Sequence, residues 1–247
     1  MTSPTVVLVH GAWAGGWCWQ RVMPRLQAAG LPTHAVTLTG VGERSHLMSR
    51  DIRLSTHVQD VIGLIMANEL TQVVLVGHSY GGMVITGVAD QLQQSHPGLL
   101  VSLVYVDAMT PHPGESWSSQ HTPETIAQRL ASAQASGGIS FAPPDASIFG
   151  LSGADRDWVN RRQTPQPLGV YQDLLIFDAA RVSSIPRTFI DCNNPALPTI
   201  AVMRQRVRQE PGWRVLEMAT GHDPMISQPE AFSDMLIALA KRIAGAR

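Results

Sequence analysis

Thr71-Gln72-Val73-Val74-Leu75-Val76-Gly77-His78-Ser79-Tyr80-Gly81-Gly82-Met83 is the stretch that decides the fold. Val73 to Val76 is an apolar, mostly β-branched run of the kind that forms a strand covered on both faces. Gly77-His78-Ser79-Tyr80-Gly81 fits G-x-S-x-G, and an apolar, helix-compatible run follows from Met83 to Leu92. Strand, tight turn and helix form the setting in which that motif carries chemistry. Outside that setting the same residues describe an ordinary turn with a capping serine. A serine on so sharp a turn has strained backbone angles and crowded neighbours. Glycines two residues to either side leave room for the turn and for close strand–helix packing. The turn lifts the Ser79 hydroxyl above the sheet edge. The following helix then turns its first N–H groups and its dipole toward negative charge forming there.

The alternation continues in both directions. Thr5–Val9 is a continuous apolar run that predicts a central parallel strand, ending in the glycine-rich His10-Gly11-Ala12-Trp13-Ala14-Gly15-Gly16-Trp17. A helix is expected over Trp17–Ala29, with Pro24 starting or bending it and Gly30 stopping it. Thr33–Leu38 reads as the next strand and 39–44 as a loop. Ser55 is the expected cap of a helix through His57, Val58, Val61, Ile62 and Ile65. Beyond the nucleophile unit, Leu99–Val106 is a strand ending at Asp107. Arg187–Asp191 and Trp213–Met218 complete the strands, with helices expected over Thr199–Gln209 and Pro229–Ile243. Such alternation means βαβ units: an α/β, doubly wound, mostly parallel sheet with right-handed crossovers. Ligands bind such sheets beyond the carboxyl ends of the strands. Ala12, Ser79, Asp107, Asp191 and His222 all fall just past expected strand ends, on that one edge.

Between Thr110 and about Ser184 the pattern changes. The stretch is rich in Pro, Ser, Gln and Ala, with scattered Trp117, Phe141, Phe149, Trp158, Tyr171 and Phe177 and no strand-like run. A connection this long folds on its own or serves a function. We expect an α/β core at 1–109 and 185–247, with a helical lid at 110–184 inserted over the sheet edge.

Length and composition narrow the field. The chain has 247 residues and a net charge of −1, with no basic run, which argues against nucleic acid as a partner. Cys18 and Cys192 are far apart and give neither metal-ligand spacing nor a disulfide framework, as expected of free thiols in a reducing cytoplasm. No signal-peptide pattern and no apolar run of membrane-spanning length is present. The expectation is a soluble cytoplasmic protein with no membrane partner, monomeric or homodimeric.

A serine hydroxyl needs a neutral imidazole to take its proton, and the imidazole needs a carboxylate to fix its tautomer. Of nine histidines, His222 alone follows the last strand in a loop suited to reach back. His78 adjoins Ser79 but points from a neighbouring position of the turn, and His10 is placed to line the site.

With these residues the chain resembles the α/β-hydrolase superfamily, most closely the branch of plant methylesterases, hydroxynitrile lyases and related bacterial esterases. The matching residues are Val9-His10-Gly11-Ala12 with Gly15-Gly16-Trp17, Gly77 to Gly82, and His222-Asp223-Pro224-Met225 with Ser227 and Pro229. The resemblance implies Ser79 as nucleophile, His222 as base, and the N–H groups of Ala12 and Tyr80 as an oxyanion hole. It implies no metal and no organic cofactor. Lyases of the branch carry a threonine after the first strand's histidine and a lysine after the catalytic histidine. Here those positions are Gly11 and Asp223, and an acidic group repels cyanide. The family's usual acid position, near Asn194-Pro195, holds no carboxylate. Asp107 is therefore the preferred acid, with Asp191 as the alternative and Asn193 or Asn194 as weaker orienting groups. The expected activity is hydrolysis of small to medium hydrophobic esters. Rival readings are a lyase, another C–C or C–N bond-cleaving hydrolase, and a small-molecule binder without catalysis.

Overall fold

A computed structural model describes residues 3–245. Its main sheet has six strands: β1 (Thr5–Val9), β2 (Thr33–Val36), β3 (Val73–His78), β4 (Leu100–Val106), β7 (Arg187–Cys192) and β8 (Trp213–Met218). They lie in the order β2-β1-β3-β4-β7-β8, and every neighbouring pair is parallel. Strands β1, β3 and β4 are buried at every position, so both faces of the sheet are covered. That is why they read as unbroken apolar runs rather than as alternating ones.

Ten α-helices are described: α1 (Met23–Ala28), α2 (Leu54–Ala67), α3 (Gly81–Ser95), α4 (Pro123–Gln134), α5 (Gly153–Asn160), α6 (Gly169–Gln172), α7 (Ala179–Ser183), α8 (Ala201–Gln209), α9 (Pro224–Ser227) and α10 (Pro229–Gly245). Helices α2 and α7 pack on α3, while α1 packs on α10. The turn between β3 and α3 is as tight as its glycines suggest. A Cβ on Gly77 would lie 2.7 Å from the Gly81 carbonyl oxygen, and one on Gly82 would collide with the Met109 backbone. Any side chain there would push α3 off the sheet.

Several boundaries differ from expectation. The single helix expected over Trp17–Ala29 is a 3₁₀ turn at Gly16–Trp19 followed by α1, with Pro24 in its first turn, where its missing N–H costs nothing. Ser55 does not cap α2. Arg53 is the N-cap residue, its N–H donating to the Thr56 hydroxyl at 3.1 Å, and the Leu54 N–H donates to Asp173 from 119 residues away. A cap delivered by tertiary contact leaves no local signal. Strand β7 runs through Cys192, so Asp191 lies within the strand rather than past its end. Residues 110–184 hold α4 to α7 and, contrary to the reading of no strands, a two-residue antiparallel pair, β5 (Ser140–Phe141) with β6 (Gln166–Pro167). Two residues are too few to show a period.

Candidate active site

Three residues at the carboxyl edge of the sheet have left-handed backbones without being glycine: Trp13 (φ 61°), Ser79 (φ 53°) and Asp107 (φ 42°). Such conformations cost of order 1–3 kcal/mol each and persist only where the surroundings over-determine them. Around Ser79 they do. Its N–H donates to Val106 O at 3.2 Å, and its carbonyl accepts from Met109 N and Gly82 N, both at 3.0 Å. The turn is thus clamped from β4 and from α3, with the Ser79 side chain left at the cavity wall.

His222 and Asp107, 115 residues apart, meet in the interior. Nδ1 of His222 donates to Oδ2 of Asp107 at 2.7 Å, and both side chains are essentially sealed from water. A proton on Nδ1 leaves Nε2 as the acceptor nitrogen. Ser79 and His222 line the same cavity. Asp191 is committed elsewhere: Arg204 Nε donates to its Oδ1 and Arg208 Nη2 to its Oδ2, each at 2.6 Å. Arg204 Nη2 also donates to the second oxygen of Asp107 at 2.7 Å. Asn193 and Asn194 are exposed, and their N–H groups donate to Met218 O and Thr220 O in the loop.

The two candidate oxyanion donors follow β1 and Ser79. Among the described residues, neither the Ala12 nor the Tyr80 N–H donates to another protein group. Both loops are braced by buried histidines. His10 donates from Nδ1 to Gly11 O at 2.7 Å and accepts at Nε2 from Leu38 N. It therefore steadies the loop of Ala12 from behind and does not line the cavity. Tyr80 donates its hydroxyl to His57 Nδ1, and His57 Nε2 donates to Thr39 O. His10 must accept at Nε2, because a backbone N–H can only donate, so its neutral form fits and its charged form does not. Burial lowers both His10 and His57 to about 4.

Read from sequence alone, His78 is turned away from the site and Asp223 is only a charge beside His222. His78 points into the site, against the reading of it as turned away: Nε2 donates to His222 O at 2.9 Å and lies 3.3 Å from Asp223 Oδ1. Burial, and then the neighbouring His222, hold His78 well below the ordinary histidine range, so the Asp223 contact is not an ion pair at neutral pH. Asp223 itself is pushed up to about 6 by burial, with His222 opposing and Asp107 adding to the rise. His78, His222 and Asp223 bring donor atoms within 4.8 Å of one another, a grouping that could hold a metal ion. Two of their nitrogens are already spent, however, on His222 O and on Asp107. Gly11 completes the wall: a Cβ there would sit 2.8 Å from His78 Nδ1 and 2.9 Å from Ser79 Cβ. No side chain fits at that position, threonine included.

The cavity has two compartments that share Trp13, Ser79, Phe149 and His222. They are tight, about 30 and 50 Å³. A larger hollow of about 500 Å³ lies at the opposite edge, by Ser102 and Arg187, and shares no residue with them. Size does not locate the chemistry; the convergent polar groups do. Segment 110–184 walls the site with Trp117 and Phe149, backed by Phe141 and Tyr171, all packed edge-on or tilted around Trp13 or one another. It is tied down by Gln166 Oε1, which accepts from Trp13 N at 2.8 Å, and by the Arg21–Asp155 pair.

A model of the alpha/beta hydrolase family matches residues 6–235 of the chain. The chain belongs to the alpha/beta hydrolase family. Within it, the chain is 39% identical over 243 residues to a carbendazim hydrolyzing esterase of Nocardioides sp. (strain SG-4G), covering 94% of this chain and 98% of that one. It is 26% identical to Methylesterase 2 of Arabidopsis thaliana, over 95% of each. Among solved structures, an extracellular alpha/beta-hydrolase from a Paenibacillus species superposes with a TM-score of 0.83 at 22% identity, covering 95% and 98% of the two chains. This hydrolase has no helix, among the described residues, long and apolar enough to cross a membrane.

Proposed function

We propose that this hydrolase cleaves small to medium hydrophobic carboxylic esters through an acyl-enzyme on Ser79. His222 Nε2 takes the hydroxyl proton, and Ser79 Oγ attacks the ester carbonyl. The N–H groups of Ala12 and Tyr80 receive the oxyanion; one such donor is worth roughly 3–4 kcal/mol in a measured case. The alcohol leaves with the proton from His222, and water then releases the acid through the same base. Asp107 holds His222 in the tautomer this requires. The observation that carries the reading is the 2.7 Å His222–Asp107 contact beside a cavity that Ser79 also lines. Relatives named as esterases support ester hydrolysis rather than another use of the fold.

Residues 110–184 act in this reading as a lid that shields the compartments from water, supported by the aromatic cluster around Trp13. The reading also includes a cytoplasmic location, which the two buried free thiols suit, and gives nucleic acid no part. The lyase alternative is disfavoured by the lack of room at Gly11. A panel of p-nitrophenyl esters from acetate to laurate tests the proposal. Turnover of the shorter members that Ser79→Ala abolishes is the expected result. Turnover that survives Ser79→Ala, or none with any ester, defeats it.

A further inference from the structure

Arg129, on α4, carries an ionised guanidinium in the wall of the compartment that also holds Ser79 and His222. Its Cζ lies 4.8 Å from the ring centroid of Trp13, 5.3 Å from Trp117, 5.5 Å from Phe141 and 5.6 Å from Tyr171. Its Nε is sealed from solvent and has no hydrogen-bond partner among the described residues. No carboxylate of the described residues balances it. The charged or titratable groups beside it are Tyr171 and His121, and burial together with Arg129 itself keeps His121 neutral. Other enclosed arginines are treated differently: Arg204 holds Asp107 and Asp191, and Arg206 holds Glu115.

Arg129 as a whole is half-buried; a guanidinium stays ionised there, and drawing one away from water without an anion is unfavourable. Four aromatic faces offset part of that cost. The Tyr171 hydroxyl accepts one of its N–H groups, but one neutral oxygen neither balances the charge nor fills a planar fork of donors shaped for a carboxylate. Its positive field therefore faces the compartment of Ser79 and His222, whose other walls are mostly apolar, with His121 and Thr199 as the further polar residues.

We infer that Arg129 is the anion-recognising residue of this site, and that the natural substrate is a hydrophobic ester carrying a carboxylate on the part seated in this compartment. The inference deepens the esterase reading and rests on it for the word ester. The second compartment, beyond Ser79, receives the uncharged remainder.

Two matched ester pairs test it. Mono(4-nitrophenyl) glutarate and 4-nitrophenyl 5-methylhexanoate differ by carboxylate against isopropyl on the acyl side. 4-Acetoxybenzoate and 4-isopropylphenyl acetate differ in the same way on the alcohol side. In one pair the anionic member is expected to have the higher kcat/KM by about tenfold, mainly through KM. Arg129→Met is expected to erase that preference and Arg129→Lys to keep part of it. Neutral members preferred in both pairs, or a ratio unmoved in Arg129→Met, overturns the inference. Calorimetric binding of 5-phenylpentanoate and of its amide gives a readout that needs no turnover. About tenfold tighter binding of the carboxylate, lost in Arg129→Met, is expected even if every ester proves inert, in which case the esterase reading alone fails. Equal binding of acid and amide overturns the anion site.

Discussion

Arg204 Nη2 lies 2.7 Å from Asp107 Oδ1, on the carboxylate oxygen that His222 does not use. The same guanidinium reaches Asp191 with Nε, and Leu197 O with Nη1. Asp191 is shared in turn with Arg208, which continues to Glu217. A chain of alternating charges thus runs from the buried Asp107 to the surface. It holds Asp107 against rotation, and Asp107 orients His222. Removing one partner of a buried pair strands the other charges, at a cost of about 3–5 kcal/mol. Arg204→Met is therefore expected to lower unfolding free energy by about that amount in urea titrations, and to lower kcat for any active ester. Arg204→Lys should recover part of both. A variant as stable as the parent would sink this account of the network.

The same geometry separates the two acids. Asp107→Asn removes the acceptor that fixes the His222 tautomer, and an equivalent amide substitution in a serine protease costs roughly 10⁴-fold in kcat. Asp191→Asn leaves the His222–Asp107 bond in place and weakens only the arginine network. We expect kcat to collapse in the first variant and to stay within about tenfold in the second, with the second losing stability instead. Comparable kcat losses in both would remove the distinction.

Gly11 makes a steric prediction. A Cβ at 2.8 Å from His78 Nδ1 and 2.9 Å from Ser79 Cβ must displace the ring or Ser79. Overpacking of this kind costs about 1–3 kcal/mol, and here it falls on Ser79 and its neighbour His78. Gly11→Thr is expected to lose most esterase activity and to release no cyanide from mandelonitrile. Cyanide release would reopen the lyase reading.

What could be read from the chain was whatever local chemistry dictates. Buried parallel strands announce themselves as apolar runs, and Gly77, Gly81 and Gly82 leave no room for a Cβ, so the fold, the tight turn at Ser79 and the sheet edge were all legible. Which side chains meet at that edge was legible only where position along the sheet is informative, as for the contact of His222 with Asp107. Arg204 and Arg129 were not, because nothing in a helix sequence says which carboxylate or ring a long side chain will meet. His78 was misread for a related reason. The direction of a side chain on a strained turn depends on what fills the space beside it, here the carbonyl of His222. The Asp173 cap on α2 and the short β5–β6 pair were hidden because tertiary contact, not local propensity, creates them.

Asp223 sets the last prediction, through pH. Its carboxyl titrates near 3.9 in an unfolded chain and is raised to about 6 when folded. Between those values the folded state binds more protons than the unfolded one, so Asp223 makes stability fall as pH rises. His10 and His57 act in the opposite sense. They are lowered to about 4 from an ordinary 6.5, so the folded state binds fewer protons and stability rises with pH across that window. His78, also lowered, adds to the rise. The two effects oppose each other between about pH 4 and 6. Asp223→Asn removes only the falling contribution. Its stability is expected to climb more steeply with pH than the parent's, by up to about 1.4 kcal/mol per pH unit. At pH 7 it should be the more stable protein by up to about 3 kcal/mol, whatever it loses in activity. Urea unfolding at pH 4.5, 5.5 and 7 measures this directly. Parallel curves for parent and variant would mean that Asp223 is ionised in the folded state throughout, and that the burial of its carboxyl is matched by a partner other than His78.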